Sequence, residues 1–486
     1  MTAVRGSVPR ALVIATLLVA VVALNASATP GTGAPTWRHA QQLALPAGAT
    51  GLAQGYLPAL ACPALGDCVA GGADSLAGGA VGAVVLNESS GHWTEPTTLV
   101  APADGAAAPA LTIYALACAA VGSCVAGGDY LNVAGNQEPF VASELSGVWQ
   151  SATAFALPAN AASSSQSALV RSIACPAVNG CVAVGSYTDA AGAQRGFVAG
   201  QVNGSWPGAT EVALPTGANA DPFTSVLQVA CAAVGSCVAV GSYIDLNNVD
   251  HGLLVAEEGG QWQNATAITP PPDASVFAGA GLSEVTCVAN GPCTVLGTYV
   301  ANTGAIEAMV STAVNGNAPA ASALALPANA ALDPRAFFYG YGGVACANGG
   351  NCALGGLYVT AAGQYEGFFA NEVSGQWRRA VQLALPKGAS AAGKNGGVVA
   401  LSCPQVGQCR AGAAFLDHAG RYQGLVVAEV NGQWRTGTAI ALPGRATTVG
   451  VDGGVYALVC NNTTSCTATG SYLATSTQYQ GFATTS

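Results

Sequence analysis

The chain has 486 residues, of which 51% are apolar, 8% charged and 7% aromatic, with 64 Gly and 25 Pro. That surplus of small residues over charge excludes a coiled coil or a charged disordered tail and points to an all-β chain of many short elements between turns. Fourteen basic residues against 24 acidic ones leave a net charge of −10, the wrong sign for neutralising nucleic-acid phosphates or docking on an anionic membrane.

In chain order, Arg5 and Arg10 form a basic start, Ala11 to Leu24 is an apolar run interrupted only by Thr16, and Ala26-Ser27-Ala28 supplies the small-x-small pattern that signal peptidase accepts. Residues 1–28 are therefore expected to be an export signal. Its run of fourteen residues, all apolar but Thr16, is shorter than the roughly 20 that a membrane-spanning helix needs, and no second candidate follows. No Cys follows the run either, so a lipid anchor is not suggested. Losing the signal removes two Arg and no acid, which leaves 12 basic residues against 24 acidic and a mature charge of −12. Residues 29–36 read as a short linker and 37–486 as one folded domain, secreted, extracellular and monomeric.

Every cysteine of the 16 falls in a C-x5-C pair. The pairs are Cys62 and Cys68, Cys118 and Cys124, Cys175 and Cys181, Cys231 and Cys237, Cys287 and Cys293, Cys346 and Cys352, Cys403 and Cys409, and Cys460 and Cys466. Zinc would want tighter knuckles and further ligands, but the four His keep no fixed offset from the pairs. In an exported chain the pattern predicts eight local disulfides and none between units. First cysteines recur after 56, 57, 56, 56, 59, 57 and 57 residues, which defines eight repeats. Each offers four short apolar segments separated by Gly, Asn, Asp and Pro, a four-stranded antiparallel meander.

A Gly follows the second Cys by four residues in seven units, at Gly72, Gly128, Gly185, Gly241, Gly297, Gly356 and Gly470, with Ala413 in the other. An aromatic comes two residues later in seven units, and a Trp 21 residues after the Gly or its Ala substitute in six, the fifth unit having Ala318 there. Such constancy means one environment recurring around an axis. The ends agree. Trp37 to Pro46 is a fourth segment lacking its first three, and Gly481-Phe482-Ala483 is a third segment lacking its fourth. Joined, they complete one unit, so the expected fold is a single eight-bladed β-propeller whose N-terminal strand pairs into the last blade and leaves no free edge.

Tandem four-stranded units with a glycine motif in the second strand, as in Val184-Gly185-Ser186-Tyr187, an aromatic soon after and a later Trp resemble kelch-type blades. More narrowly, C-x5-C followed by AVGSY and then an NGxW segment resembles the repeats of secreted actinobacterial β-propeller proteins of unassigned function. The resemblance spans the mature chain and implies a fold, with no catalytic residue to carry over.

Motifs for chemistry are missing. There is no HExxH, G-x-S-x-G or EF-hand loop. Gly388 to Lys394 matches G-x4-G-K, but Asn395 stands where a Ser or Thr would hold magnesium, and no helix follows to receive phosphate. The nearest approach to a sialidase Asp box, Ser186 to Gly192, has the wrong spacing. No cofactor and no metal are expected. What remains is geometry: the Cys hairpins are short and nearly identical and share one face, while the inter-blade loops on the other face vary, and variable loops on a rigid frame are where function is placed.

The loop Asp333 to Tyr341 is the most distinctive, with Asp333, Arg335, Phe337, Phe338, Tyr339 and Tyr341 as expected ligand-binding residues. Asp104, Asp221, Asp333 and Asp452 occupy comparable loops, as turn residues or, together, as a cation site. The expected function is a secreted, non-enzymatic scaffold that binds a protein or cell-envelope glycan through this face. The alternative is an extracellular carbohydrate-active hydrolase or lyase at the channel mouth, with Asp333 and Arg335 as its candidates.

Overall fold

In a computed structural model of the protein the described residues are 36–52, 57–76, 79–314, 316–331, 343–390, 396–443, 453–474 and 478–486. The expected export signal and most of the linker lie outside them. The described strands form eight separate antiparallel sheets, one per repeat. The third is typical: Leu169–Ala174, Val182–Thr188, Gln194–Gly200 and Ala209–Glu211 pair in sequence order. Each blade's first strand packs against the first strand of the next, and Gly454–Cys460 of the eighth packs against Ala59–Ala64 of the first. The first strands therefore form the inner wall of a closed ring.

Closure occurs where the sequence placed it. Gln41 and Gln42 pair with Ala483 and Phe482. Beside them the Arg38 amide donates to the Thr485 carbonyl at 2.9 Å, and the Leu43 amide to that of Gly481 at 2.9 Å. The eighth blade is thus built from both ends of the domain.

A four-stranded sheet with apolar side chains on both faces must bury both. The apolar clusters accordingly lie between blades. Val125 and Val141 of the second blade meet Val170, Ile173, Tyr187 and Phe197 of the third, with Trp206 at the margin. The recurrent Gly has a steric cause: a Cβ at Gly128, Gly185, Gly241, Gly297 or Gly470 would overlap a carbonyl oxygen of the neighbouring inner strand. All eight expected disulfides are formed, with Cα atoms 3.9 to 4.1 Å apart, and no described cysteine is free. Eight such bonds belong to an oxidising environment. No helix of the described residues is long and apolar enough to cross a membrane.

Candidate functional site

The loop face is organised by one repeated turn. The carbonyls of Pro46, Pro102, Pro158, Pro215, Pro271, Pro327 and Pro386 each accept from the amide three residues on. Asp or Asn inside four of these turns is tied to the tyrosine of the next blade. The hydroxyls of Tyr130, Tyr187, Tyr299 and Tyr358 donate to Asp104 (2.7 Å), Asn160 (2.8 Å), Asp273 (3.0 Å) and Asn329 (2.8 Å). Burial holds all four phenols above their ordinary range, with neighbouring carboxylates adding to the effect.

The hairpin turns between second and third strands also use their acids structurally. Asp189, Asp245 and Asp417 each accept from the amides two and four residues on. Arg195 and Arg421 pair with Asp189 and Asp417 at 2.8 and 2.7 Å. The amide of Val249, the side chain of His251 and the Asn247 amide hold Asp245 down at about 2. Asp104 is therefore a turn residue. Asp221 is exposed beside Asn219, while Asp333 and Asp452 fall outside the described residues. No group of three His, Cys, Asp or Glu converges among the described residues.

A cleft of about 350 Å³ opens on this face between the fifth and sixth blades, with Glu307, Leu326, Pro327, Tyr358 and Arg379 in its wall. Glu307 accepts from the Tyr299 hydroxyl at 3.0 Å, and an Arg379 guanidinium nitrogen donates to the Leu326 carbonyl at 2.9 Å. The wall ends at Ala331, where the loop of greatest sequence diversity begins. Asp333, Arg335, Phe337, Phe338, Tyr339 and Tyr341 themselves lie outside the described residues.

Two features escaped the sequence reading. In the inner strands the residue four before the first Cys sits at a register shift and is half-exposed between buried neighbours, at Tyr114, Arg171, Leu227, Ser283, Val399 and Tyr456. One edge of the inner strand is paired and the blade faces are packed, so these bulges look onto the central channel. Variation at one position of an otherwise repetitive strand was the available signal. The Arg171 guanidinium stands 6.0 Å from the centre of the Tyr114 ring. Nearby Asp129 is raised by burial against the opposing pull of Gln137, Tyr114 and Arg171.

The second feature lies on the Cys-hairpin face. A carboxyl stands five residues before the Trp in five units, at Glu88, Glu144, Glu257, Glu372 and Glu429, and burial raises all five. Glu429 accepts from the backbone amide of the second cysteine, Cys409, at 3.0 Å, and Gln201 does the same for Cys181 at 3.3 Å. Each of the seven Trp packs against an inter-blade cluster, Trp93 against two.

At two seams the indole is locked by an Asn of the preceding blade. Trp149 donates to Asn87 at 3.0 Å and Trp434 to Asn371 at 2.8 Å, while these Asn donate to Glu144 and Glu429 at 2.5 Å. Clefts of about 420 Å³ and 370 Å³ mark this face at the seams of blades one with two and four with five. The first holds Asp67, Glu88, Glu144 and Trp149.

The hairpin tips of this face are apolar. Leu65, Val121, Val178, Val234 and Val406 cap the cysteine hairpins, and Leu145, Val148, Val202, Val314 and Val373 the third-to-fourth-strand turns. All ten are between 43% and 65% exposed. In five blades the two turns are joined by glycines, as where Gly91 donates to Gly66 at 2.8 Å and Gly147 to Gly122 at 3.1 Å.

No protein-family model matches this sequence, and no curated protein matches it. Several solved structures resemble it loosely. A protein of unknown function from Dyadobacter fermentans is 10% identical, with 80% of this chain and 96% of that one covered and a TM-score of 0.37. The WD40 domain of SCAP from fission yeast is 7% identical, with 92% and 98% covered and a TM-score of 0.46. A fungal lectin from Aleuria aurantia, described as a six-bladed β-propeller with a novel fucose recognition mode, is 12% identical, with 63% and 88% covered and a TM-score of 0.29. At these levels the likeness says nothing about activity.

Proposed function

We propose that the protein is a secreted, non-enzymatic binding protein that recognises a protein or a cell-envelope glycan through its inter-blade loop face, with the seam of blades five and six at the centre. The supporting observation is the cleft of about 350 Å³ there, in which a carboxylate, a phenol and a guanidinium stand on an apolar wall. A few polar groups on an apolar concave surface suit an oriented, hydroxyl-bearing ligand, and Arg offers two parallel donors to it. In sequence the chain runs on from the wall residue Ala331 to Asp333, Arg335, Phe337, Phe338, Tyr339 and Tyr341, which we propose as the aromatic part of the same site. The expected export signal and the eight disulfides suit the extracellular space, and the repeat pattern suits the secreted actinobacterial propellers it resembles.

Glycan arrays and pull-downs with the secreted protein test this reading. Arg335→Ala combined with Phe338→Ala is expected to weaken binding by at least about 2 kcal/mol while leaving the melting temperature unchanged. Arg379→Ala, which removes the cleft's only cation among the described wall residues, is expected to act in the same direction. Normal binding by both variants overturns the assignment of the site, and hydrolysis or elimination of a bound glycan moves the protein to the enzyme class.

A further inference from the structure

We infer that the Cys-hairpin face is a self-association surface on which a second copy of this chain docks, face to face, to form a symmetric dimer. Three properties of the face lead there. Ten aliphatic tips, each about half-exposed, point out of it. At roughly 70 Å² apiece they offer roughly 700 Å² per copy, close to the about 800 Å² per partner that a stable interface buries. Scattered single apolar residues need no explanation, but a set repeated blade after blade on one face does.

The tips are also held rigidly. Five sit on disulfide-closed hairpins, Leu145, Val148 and Val373 on turns joined to one by a glycine-to-glycine hydrogen bond, and Val202 and Val314 on turns closed by paired backbone bonds to Ser205 and Asn317. Little order remains to be imposed when a partner arrives, which removes a main cost of association.

Charge selects the partner. Across all eight turns between paired cysteines the only ionisable residue is Asp67, and the turns before the Trp add only His92 and Glu258. The acids of the loop face, such as Asp189, Asp245 and Asp417, lie on the other side of the disk. Two copies of a chain of net charge −10 repel wherever their acidic surfaces meet, and the hairpin face is where they can approach with little repulsion. Such docking also keeps both loop faces outward. An anionic lipid surface would want a cluster of Lys and Arg, and the turns themselves carry none, although Arg435 reaches the Val430 carbonyl beside one of them. An isologous contact needs one self-complementary patch, which a ring of repeated tips supplies. On this proposal the protein is a dimer where the sequence reading expects a monomer.

Sedimentation velocity of the purified protein over a wide concentration range tests the inference, with Val121→Asp plus Val178→Asp as the tip variant. Val133→Asp plus Phe277→Asp, on exposed loop-face positions, is the comparison. The protein and the loop-face variant are expected to dimerise with little dependence on salt, and the tip variant to have its dimer dissociation constant raised at least about 100-fold. Thermal melting of dilute monomer checks folding, and Leu145→Asp plus Val234→Asp serves as a second tip variant. A monomer at every concentration overturns the proposal, as does a dimer that both tip variants preserve, or one that only the loop-face variant breaks. Binding of the monomer to uncharged phosphatidylcholine vesicles would assign the apolar ring to lipid and overturn it too.

Discussion

The seam of blades six and seven and the seam of blades four and five do the same job with opposite means. At the first, Asn371, Glu429 and Trp434 interlock near the outer edge, and the indole lies flat on Phe369 with ring centres 3.8 Å apart. At the second, the same three positions are Ala256, Ala313 and Ala318. The fifth blade closes in, so that a Cβ on Gly316 would come within 2.5 Å of the Ala256 Cβ.

Compensation for the lost indole comes from the axis side. Gln228 of the fourth blade accepts from the Val285 amide of the fifth at 2.5 Å. Ser172 makes the same latch to Val229 one seam earlier, and Glu284 to Val344 one seam later, whereas the sixth blade has Gly343 at that position. Some seams are therefore tied by polar interlocking at the periphery and others by side-chain latches at the inner wall. A repeat can lose one device where it has the other.

The sharpest test removes the indole. Trp434→Ala should destabilise the protein by about 3 kcal/mol, the usual scale for deleting a large aromatic from a packed seam. Hydrogen exchange should place the loosening at blades six and seven. A loss under about 1 kcal/mol by denaturant titration would mean that the peripheral device is ornamental.

The converse experiment adds one. Ala318→Trp restores the consensus yet should destabilise by about 2 kcal/mol, because the space has been closed by the neighbouring backbone and overpacking is costly. A stabilised variant would show that the slot had stayed open.

The latches at 228 and 284 share a geometry and differ in charge, so pH separates them. Burial pushes the Glu284 carboxyl from its ordinary 4.5 up to about 8. The folded state then holds the proton more tightly than the unfolded chain. The stability this lends is fully present below about pH 4.5 and is lost as the pH rises through about 8, at a rate on the order of 1 kcal/mol per pH unit. Glu284→Gln reproduces the neutral latch of Gln228. It should flatten the melting-temperature profile between pH 6 and 9, with a gain at the alkaline end. The five buried carboxyls near the Trp, also raised by burial, slope in the same direction. A variant whose profile matched the parent's would mean that Glu284 does not titrate in this range.

The smallest effect is a difference between two glycines. Gly316 and Gly147 both have positive φ, at 72° and 82°, but a Cβ at Gly147 meets nothing within 4 Å. Gly147→Ala should cost about 1 kcal/mol for backbone strain alone. Gly316→Ala should cost about 1 kcal/mol more for the contact with Ala256. Equal losses in chemical denaturation would show that the two seams are equally roomy.

The fold was legible because the constraint that makes it repeats. A Gly that must clear a carbonyl and a cysteine pair across a hairpin leave the same mark in nearly every unit, and the split eighth unit shows at the two ends. The side-chain devices were harder to see. Glu429 and its counterparts stand at a fixed offset from Trp, yet a carboxyl in a sequence looks exposed until the amide it caps is known. The channel position, occupied by Tyr114, Arg171, Leu227 and others, is conspicuous only through its variety. Equal turn lengths hid the apolar character of the hairpin face, since attention to loop length favours the opposite side. The loop from Asp333 to Tyr341 keeps its standing as a sequence expectation.

The closing blade separates two clocks of folding. Each disulfide joins residues only 6 apart in sequence and can form as soon as its own hairpin exists, in whatever order the chain presents them. Pairing Gln41 with Ala483 must instead wait for the ends of the whole domain to find one another, and the entropy of closing so long a loop is met by the few bonds of one short strand. A fully oxidised chain can therefore still be an open arc. Counting thiols reports on the hairpins and is silent on whether the circle has shut.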